Sequence, residues 1–312
     1  MSKRFQILAL DGGGIKGIFP AAVLAHLEGD LNIKVTDYFD LIVGTSTGGI
    51  IALGLGLGMS PSEIVHFYVE KGRSIFPKSM VASLRQYWRN KFEPAPLEAA
   101  LKECFGEGTL LSASKKRLIV PTYNIGEDDV YLFKTCHHDR LNRDYKVPMW
   151  KVALATTAAP TFFPAFQGLD HLRLVDGGVW ANNPSVVGIA EAISMLGQSL
   201  DNIRILSLGT TDEVKQRHTN LDHGGFWQWK QAAVDVVLRG QSRGAFTQAQ
   251  HLIGKSKAIR LDPKVPDRLF ALDKLSEKEL LSKAAHESRH FSPQFKEVFL
   301  DHRAPEFQPY HS

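Results

Sequence analysis

Short, mainly apolar runs alternate with longer segments of helical periodicity along this chain. Continuous apolar runs of four to six residues are typical of strands that are buried on both faces of a parallel sheet. The predicted strands are 5–10, 38–43, 118–123, 130–134, 172–175, 203–208 and, as the last one, 258–261. The predicted helices are 18–27, 50–57, 61–71, 96–104, 149–157, 182–196, 226–239, 245–253, 276–288 and 292–301. Ser60 and Glu63 form a predicted capping box before the third helix.

This alternation continues without an internal repeat, a low-complexity tract or a clear linker. Alternating strands and helices are typical of an α/β fold, so we expect a mostly parallel central sheet flanked by helices. Residues 1–312 are predicted to form one domain, with a core at about 5–210 and a C-terminal extension of helices and strand at about 211–312 that caps the sheet.

A glycine-rich turn, Asp11–Gly17, directly follows the first predicted strand. Such a turn exposes backbone N–H groups at the start of a helix and therefore favours negative charge. Two interpretations compete, namely a phosphate or dinucleotide site and an oxyanion hole. The Walker pattern fails because no Lys-Ser/Thr pair follows the last glycine. The dinucleotide pattern lacks its acidic residue unless Asp37 or Asp40 supplies it. We favour the oxyanion hole, since a candidate nucleophile follows.

That candidate is Ser46, at the tip of the turn Gly44-Thr45-Ser46-Thr47-Gly48 between a predicted strand and a helix. The G-x-S-x-G spacing is that of a nucleophile elbow, in which the flanking glycines allow strand and helix to pass closely. The alternative is a glycine-rich turn that carries an ordinary hydroxyl group.

A third turn, Asp176-Gly177-Gly178, follows the run 172–175. The ends of strands in an open α/β sheet face one crevice, so a carboxylate, a hydroxyl and backbone N–H groups should meet there. These are the parts that acyl transfer needs. The base is either Asp176 itself or a histidine oriented by Asp176, for which the candidates are His137, His138, His171, His286 and His290.

Composition limits the function classes. The chain has 312 residues and a net charge of +4, too weak and scattered to indicate a polymeric nucleic acid partner. Two cysteines, Cys104 and Cys136, exclude a disulfide scaffold and favour a reducing compartment. No targeting or membrane-spanning segment is apparent, so we expect a soluble, cytoplasmic protein with peripheral membrane contact at most.

One segment could make that contact. In 78–92, Val81, Leu84, Trp88 and Phe92 recur at helical spacing, with basic residues on the other faces. The segment is either a surface helix packed on the core or an amphipathic element that touches anionic lipid.

The three turns, in this order, resemble those of the patatin-like phospholipase family, and the resemblance extends over about residues 5–210. It implies a patatin-like variant of the α/β hydrolase theme and a lipid acyl hydrolase without a cofactor or metal. By motif, Ser46 would be the nucleophile, Asp176 its direct base, and the N–H groups of Gly12, Gly13 and Gly14 the oxyanion hole. Lys16 would attract anionic head groups. Two alternatives stay open: a Ser-His-Asp esterase, and a non-catalytic module that binds phosphorylated ligands.

The form of the first motif, Leu-Ala-Leu-Asp-Gly-Gly-Gly-Ile-Lys-Gly at 8–17, resembles the short bacterial patatins of cyclic-oligonucleotide anti-phage signalling. This resemblance implies activation by a cyclic dinucleotide. The mild basic charge and the segment 78–92 favour a membrane phospholipid as the substrate, and we expect the active protein at the inner membrane surface. The aromatic segment 226–230 and basic residues Arg239, Arg243, Lys255 and Lys257 are candidates for binding the activator, unless this region only completes the core. A homo-oligomer is compatible with the sequence.

Overall fold

A seven-stranded mixed sheet forms the centre of the computed structural model, which describes residues 4–75, 92–214, 219–266 and 277–311. The described strands are β1 (Phe5–Leu10), β2 (Leu41–Gly44), β3 (Arg117–Asn124), β4 (Asp129–Lys134), β5 (Leu174–Asp176), β6 (Ile203–Leu208), β7 (Asp212–Val214), β8 (Ala258–Leu261) and β9 (Lys264–Pro266). β7 and β9 form a separate parallel pair. The strands β7 and β9 were not predicted, because each is three residues long and has no apolar run.

The main path of the sheet is β4-β3-β2-β1-β6-β8. β1 pairs in parallel with β2 and β6, β2 with β3, and β6 with β8, whereas β4 is antiparallel to β3. β1 and β2 are buried throughout. The predicted mostly parallel sheet is therefore confirmed, and its central strands are the continuous apolar runs.

β5 departs from the prediction, because it runs antiparallel to the second half of β3, with Asp176 opposite Thr122. β4 already occupies one edge of that half. β5 therefore pairs with the other edge of β3. The first half of that edge, at Arg117–Ile119, pairs with β2, so β5 lies beyond the C-terminal end of β2. The three turns meet as expected, but the third approaches from the opposite direction.

Helices cover both faces of this sheet. The described α-helices are α1 (Ile18–Leu31), α2 (Thr47–Leu57), α3 (Pro61–Ile75), α4 (Ala95–Phe105), α5 (Met149–Thr156), α6 (Gly178–Ala181), α7 (Ser185–Ser194), α8 (Phe226–Ile253) and α9 (Glu277–Phe299). Side chains from α1 to α5 and from α9 share one large core, whereas α7 and α8 pack on the other face of the sheet.

The last helix closes the structure onto its beginning. α9 packs along α1, and Phe295 and Phe299 lie against the ring of Phe39 at centroid distances of 6.4 and 5.7 Å. The side-chain amide of Gln6, in β1, donates to the carbonyl of Phe299 at 3.0 Å. The C-terminal extension is therefore part of the same core as the first strand and helix.

Two predicted helix breaks are wrong. Residues 226–239 and 245–253 belong to one helix, α8, because Gly240 and Gly244 each lower helix propensity by only about 1 kcal/mol and do not end the helix. Residues 276–288 and 292–301 likewise fall mainly within α9, which contains Pro293. The buried face of α9 continues past that proline, so tertiary packing overrides the local break.

The predicted capping box of α3 is confirmed. Glu63 Oε2 accepts from the Ser60 N–H group at 2.7 Å, and Ser60 Oγ accepts from the Glu63 N–H group at 3.2 Å. The predicted amphipathic segment 78–92 lies outside the described residues except for Phe92, which stacks on Phe162. None of the helices within the described ranges combines the length and the apolar character that a bilayer-spanning helix needs.

Candidate active site

Ser46 occupies a strained turn between β2 and α2. Its φ of 56° and ψ of −123° are unusual for a residue with a side chain. A Cβ atom on Gly44 would lie 2.1 Å from the Gly48 carbonyl oxygen, and one on Gly48 would lie 2.3 Å from the Leu10 carbonyl oxygen. The two flanking glycines are therefore required by the close passage of strand and helix, as the motif predicts.

A short hydrogen bond joins the candidate nucleophile to the candidate base. Ser46 Oγ donates to Asp176 Oδ2 at 2.6 Å, and the second carboxylate oxygen of Asp176 accepts the Gly178 N–H group at 2.7 Å. Ser46 is only 9% exposed and Asp176 only 6%. The carboxylate is thus held in one orientation, with one oxygen aimed at the hydroxyl group.

The environment of Asp176 suits a general base. Burial raises its pKa from 3.8 to about 6, although the hydrogen bonds from Ser46 and Gly178 oppose that rise. A base acts best when its pKa is close to the working pH, and an exposed aspartate is too acidic for this role near neutrality. Burial therefore supplies the basicity that a general base requires near neutral pH.

Histidine is not part of this arrangement in the described part of the chain. His171 is an exposed loop residue before β5. His286 and His290 pack against each other on α9, and His137 is bound to Glu191. No described histidine forms a hydrogen bond with Ser46 or Asp176, so the geometry favours the dyad over the Ser-His-Asp triad.

The glycine-rich loop after β1 lies beside the elbow, but its three N–H groups are not equivalent. The Gly12 N–H group donates to the Asn182 carbonyl at 3.1 Å. Within the described ranges, the N–H groups of Gly13 and Gly14 have no protein acceptor. Of the three predicted oxyanion donors, Gly12 is therefore already engaged, and Gly13 and Gly14 remain available to a ligand.

Lys16 is also engaged, contrary to the expectation that it attracts head groups. Its ammonium group forms an ion pair with Glu213 Oε1 at 2.5 Å, and its side chain is only 19% exposed. This pair ties the loop after β1 to β7.

Several supporting residues were not identified from the sequence. Thr156 Oγ1 accepts the Ser46 N–H group at 2.9 Å and donates to the Pro121 carbonyl at 2.7 Å. The Tyr68 hydroxyl group donates to the Thr47 carbonyl at 3.0 Å. Both contacts join distant parts of the chain to the elbow, and neither residue lies in a motif. Among the described residues, no cluster of three or more His, Cys, Asp or Glu side chains is placed to hold a metal ion.

Asp176→Asn is expected to raise the free energy of unfolding by up to about 3 kcal/mol at pH 8, because a pKa shift of one unit corresponds to about 1.4 kcal/mol. The carboxyl group of Asp176 has a higher pKa when folded than the ordinary value of 3.8. It therefore favours folding below about pH 4, and that contribution is lost as the pH rises through about 6. Asparagine carries no such charge. Urea unfolding followed by circular dichroism at pH 8 and at pH 4 measures the difference in unfolding free energy between Asp176→Asn and the wild type.

At pH 4 the stability gain should nearly vanish. Asp30→Asn, at an exposed position of α1, is the matched control and should change stability little at either pH. An equal gain for Asp176→Asn at pH 4 and pH 8 would show that the buried charge is not its cause.

Comparison with known proteins places this chain in a family. A sequence model of the patatin-like phospholipase family matches residues 8–187. The chain is 34% identical over 280 residues to the cGAMP-activated phospholipase of Pseudomonas aeruginosa. The aligned region covers 87% of this chain and 83% of that protein. It is 36% identical over 224 residues to the protein of the same name from Escherichia coli, and this aligned region covers 67% of this chain and 63% of the relative. The Vibrio cholerae protein of that name is 33% identical over 234 residues, covering 68% and 66%. The chain belongs to the patatin-like phospholipase family.

Proposed function

We propose that this protein is a phospholipase A-type lipid acyl hydrolase that cleaves glycerophospholipid esters with Ser46 as nucleophile and Asp176 as base. The observation that carries the proposal is the 2.6 Å hydrogen bond between these two buried side chains. It lies at a strained elbow beside two backbone N–H groups without a protein acceptor in the described structure.

The reaction follows from this geometry. Asp176 accepts the hydroxyl proton as Ser46 Oγ attacks the ester carbonyl, and the N–H groups of Gly13 and Gly14 stabilise the resulting oxyanion. The tetrahedral intermediate collapses, and Asp176 returns the proton to the leaving lysolipid alcohol. Water then attacks the acyl-enzyme with Asp176 again as base, and the fatty acid leaves as Ser46 regains its proton. No metal or cofactor takes part.

An apolar cavity supports a lipid substrate. The cavity has a volume of about 380 Å³ and lies between α4, α5 and the loop 163–168. Its lining is mainly apolar, with Leu97, Trp150, Leu154, Phe163, Pro164 and Phe166, and it also includes the polar residues Glu98, Lys151, Thr157 and Gln167. Ala158 also lines it, and the Ala158 carbonyl accepts the Asp176 N–H group at 3.0 Å. The cavity therefore borders the segment that holds the base, where an acyl chain of a bound phospholipid would be placed.

A serine-reactive fluorophosphonate tests this function directly. The probe should label the protein at Ser46, as mass spectrometry of the labelled peptide would show, and should leave Ser46→Ala unlabelled. Release of fatty acid from phosphatidylglycerol vesicles completes the test. Absence of both labelling and release, with cyclic GMP-AMP as well as without it, would favour the alternative of a non-catalytic module that binds phosphorylated ligands.

Activation by a cyclic dinucleotide is the second part of the proposal. Its support is that three relatives carry the name cGAMP-activated phospholipase. The enzyme would then be cytoplasmic, inactive until a phage infection produces the nucleotide, and active at the inner membrane surface. Three of the basic residues suggested by the sequence have structural partners, since Arg239 and Arg243 both pair with Asp212 and Lys257 pairs with Asp201. Lys255 is exposed.

Addition of cyclic GMP-AMP is expected to increase vesicle hydrolysis by about tenfold or more, because a coupling free energy of 1–3 kcal/mol changes an equilibrium 5- to 150-fold. The assay compares purified protein with cyclic GMP-AMP, with other cyclic di- and trinucleotides and with linear GMP-AMP as the matched control. A thermal shift with the activating nucleotide alone would support direct binding. Full hydrolysis without any nucleotide, together with no thermal shift, would contradict the activation and leave the hydrolase proposal intact.

A further inference from the structure

Arg260 connects the C-terminal extension to the start of the glycine-rich loop. Ala9 of β1, Ser207 of β6 and Arg260 of β8 lie in one row across three neighbouring strands. The guanidinium group reaches across β6 to Asp11, which directly follows β1. Arg260 lies outside the residues that match the family model, 8–187, and belongs to none of the three motifs.

The contact is a two-pronged fork. Arg260 Nη1 donates to Asp11 Oδ1 at 3.2 Å, and Nη2 donates to Asp11 Oδ2 at 2.7 Å. Each nitrogen has a second partner, Ser207 Oγ at 2.7 Å for Nη1 and Asp262 Oδ2 at 2.7 Å for Nη2. Bidentate pairs between arginine and carboxylate fix orientation as well as distance. The fork therefore restrains rotation of the Asp11 side chain.

Asp11 depends on this partner because it is buried. It is only 3% exposed, and burial raises its pKa to about 6 even though the charge of Arg260 and its hydrogen bonds lower it. A buried carboxylate without a partner is costly, so removal of the guanidinium group would lead to protonation of Asp11 or to rearrangement of the chain around it.

Asp11 in turn fixes the origin of the oxyanion loop. Its N–H group donates to the Leu208 carbonyl at 3.0 Å, and the next residue, Gly12, donates to Asn182. Gly13 and Gly14 follow with the two N–H groups that have no protein acceptor in the described chain. A glycine segment has no side chains to hold it, so its direction depends on the residue before it together with backbone contacts such as that between Gly12 and Asn182.

We propose that Arg260 is a positioning residue for the proposed hydrolysis. Through its bidentate hydrogen bonds to Asp11, it orients the N–H groups of Gly13 and Gly14. This inference rests on the proposed function and adds a residue of the C-terminal extension to the site. Arg260 touches neither the substrate nor the dyad. Its loss affects the step in which the oxyanion forms and leaves substrate binding nearly unchanged.

Arg260→Gln, Arg260→Lys and Asp11→Asn test the proposal, with Arg4→Gln as the matched control. Arg4 precedes the opposite end of β1, where it pairs with Asp301 at the surface. The readouts are kcat and KM for a soluble short-chain ester in the presence of cyclic GMP-AMP, the rate of fluorophosphonate labelling, and thermal unfolding. The ester separates catalysis from membrane binding, and the phosphonate adduct places an oxygen where the oxyanion forms.

We expect Arg260→Gln to lower kcat and the labelling rate by at least about tenfold while KM stays within about twofold, since loss of one oxyanion donor costs 10²–10³-fold and misplacement costs part of that. Arg260→Lys keeps the charge and should recover part of the loss. Arg4→Gln should stay within about twofold of the wild type.

A folded Arg260→Gln protein with wild-type kcat overturns the proposal, as does a loss confined to KM. If Arg260→Gln does not fold, Asp11→Asn decides in the same way, with unchanged kcat as the contradicting result. If the wild-type protein and the variants all hydrolyse the ester and are all labelled at the same rate, only the role of Arg260 is rejected. A wild-type protein that does neither rejects the proposed function and this inference with it.

Discussion

Ser46→Ala and Asp176→Asn are each expected to reduce phospholipid hydrolysis by at least about 10³-fold, because nucleophile and base act as one unit. Alanine removes the attacking oxygen. Asparagine matches the shape of aspartate and can still accept the Gly178 N–H group, but it cannot take the serine proton. Fatty-acid release from phospholipid vesicles measures the loss, and circular dichroism with thermal unfolding checks that both variants stay folded.

Two histidine variants complete this experiment. His171→Ala and His286→Ala should hydrolyse vesicles at nearly the wild-type rate, since neither histidine forms a hydrogen bond with the dyad in the described structure. Activity that survives in Asp176→Asn and disappears in one of the histidine variants would establish the Ser-His-Asp triad and reject the dyad.

Gly13→Ala should lower kcat by about 10²–10³-fold, the usual cost of one lost oxyanion donor. An added Cβ atom would lie 2.1 Å from Thr210 Oγ1 and 2.6 Å from Thr210 Cβ, so the loop must move. That movement displaces the N–H groups beside Ser46. Steady-state kinetics on a short-chain ester measures the effect on catalysis, and thermal unfolding measures the effect on the fold.

Two other glycines calibrate this result. Gly14→Ala meets open space but has a φ of +58°, so it should cost less activity than Gly13→Ala. Gly29→Ala, in α1, also meets open space and should leave activity unchanged. If folded Gly13→Ala keeps wild-type specific activity, the loop has a structural role only.

Local pattern was sufficient to predict the centre of the fold. β1 and β2 are apolar runs that end in glycine turns, and both the burial and the turn are properties of neighbouring residues. The same holds for the capping box at Ser60. The positions of Ser46 and Asp176 could be predicted because each turn carries a local constraint that few residues satisfy.

Contacts between distant segments could not be predicted in this way. The antiparallel direction of β5 depends on its pairing with β3, about fifty residues earlier. The engagement of Gly12 depends on the Asn182 carbonyl, and the fork on Asp11 comes from Arg260. Glycine spacing reveals that N–H groups are exposed after β1, but it does not show which of them another part of the chain occupies.

The packing of α9 on α1 has a consequence for synthesis of the protein. α1 lacks its principal helical partner, and Gln6 lacks the Phe299 carbonyl, until residues 277–299 have been translated. β1 likewise waits for β6, almost two hundred residues later. Domains fold as units during synthesis, and contacts this distant in sequence form late. A partly made chain on the ribosome therefore contains the elbow sequence before the segments that complete the sheet beside β1 and the helix packing on α1 have been made.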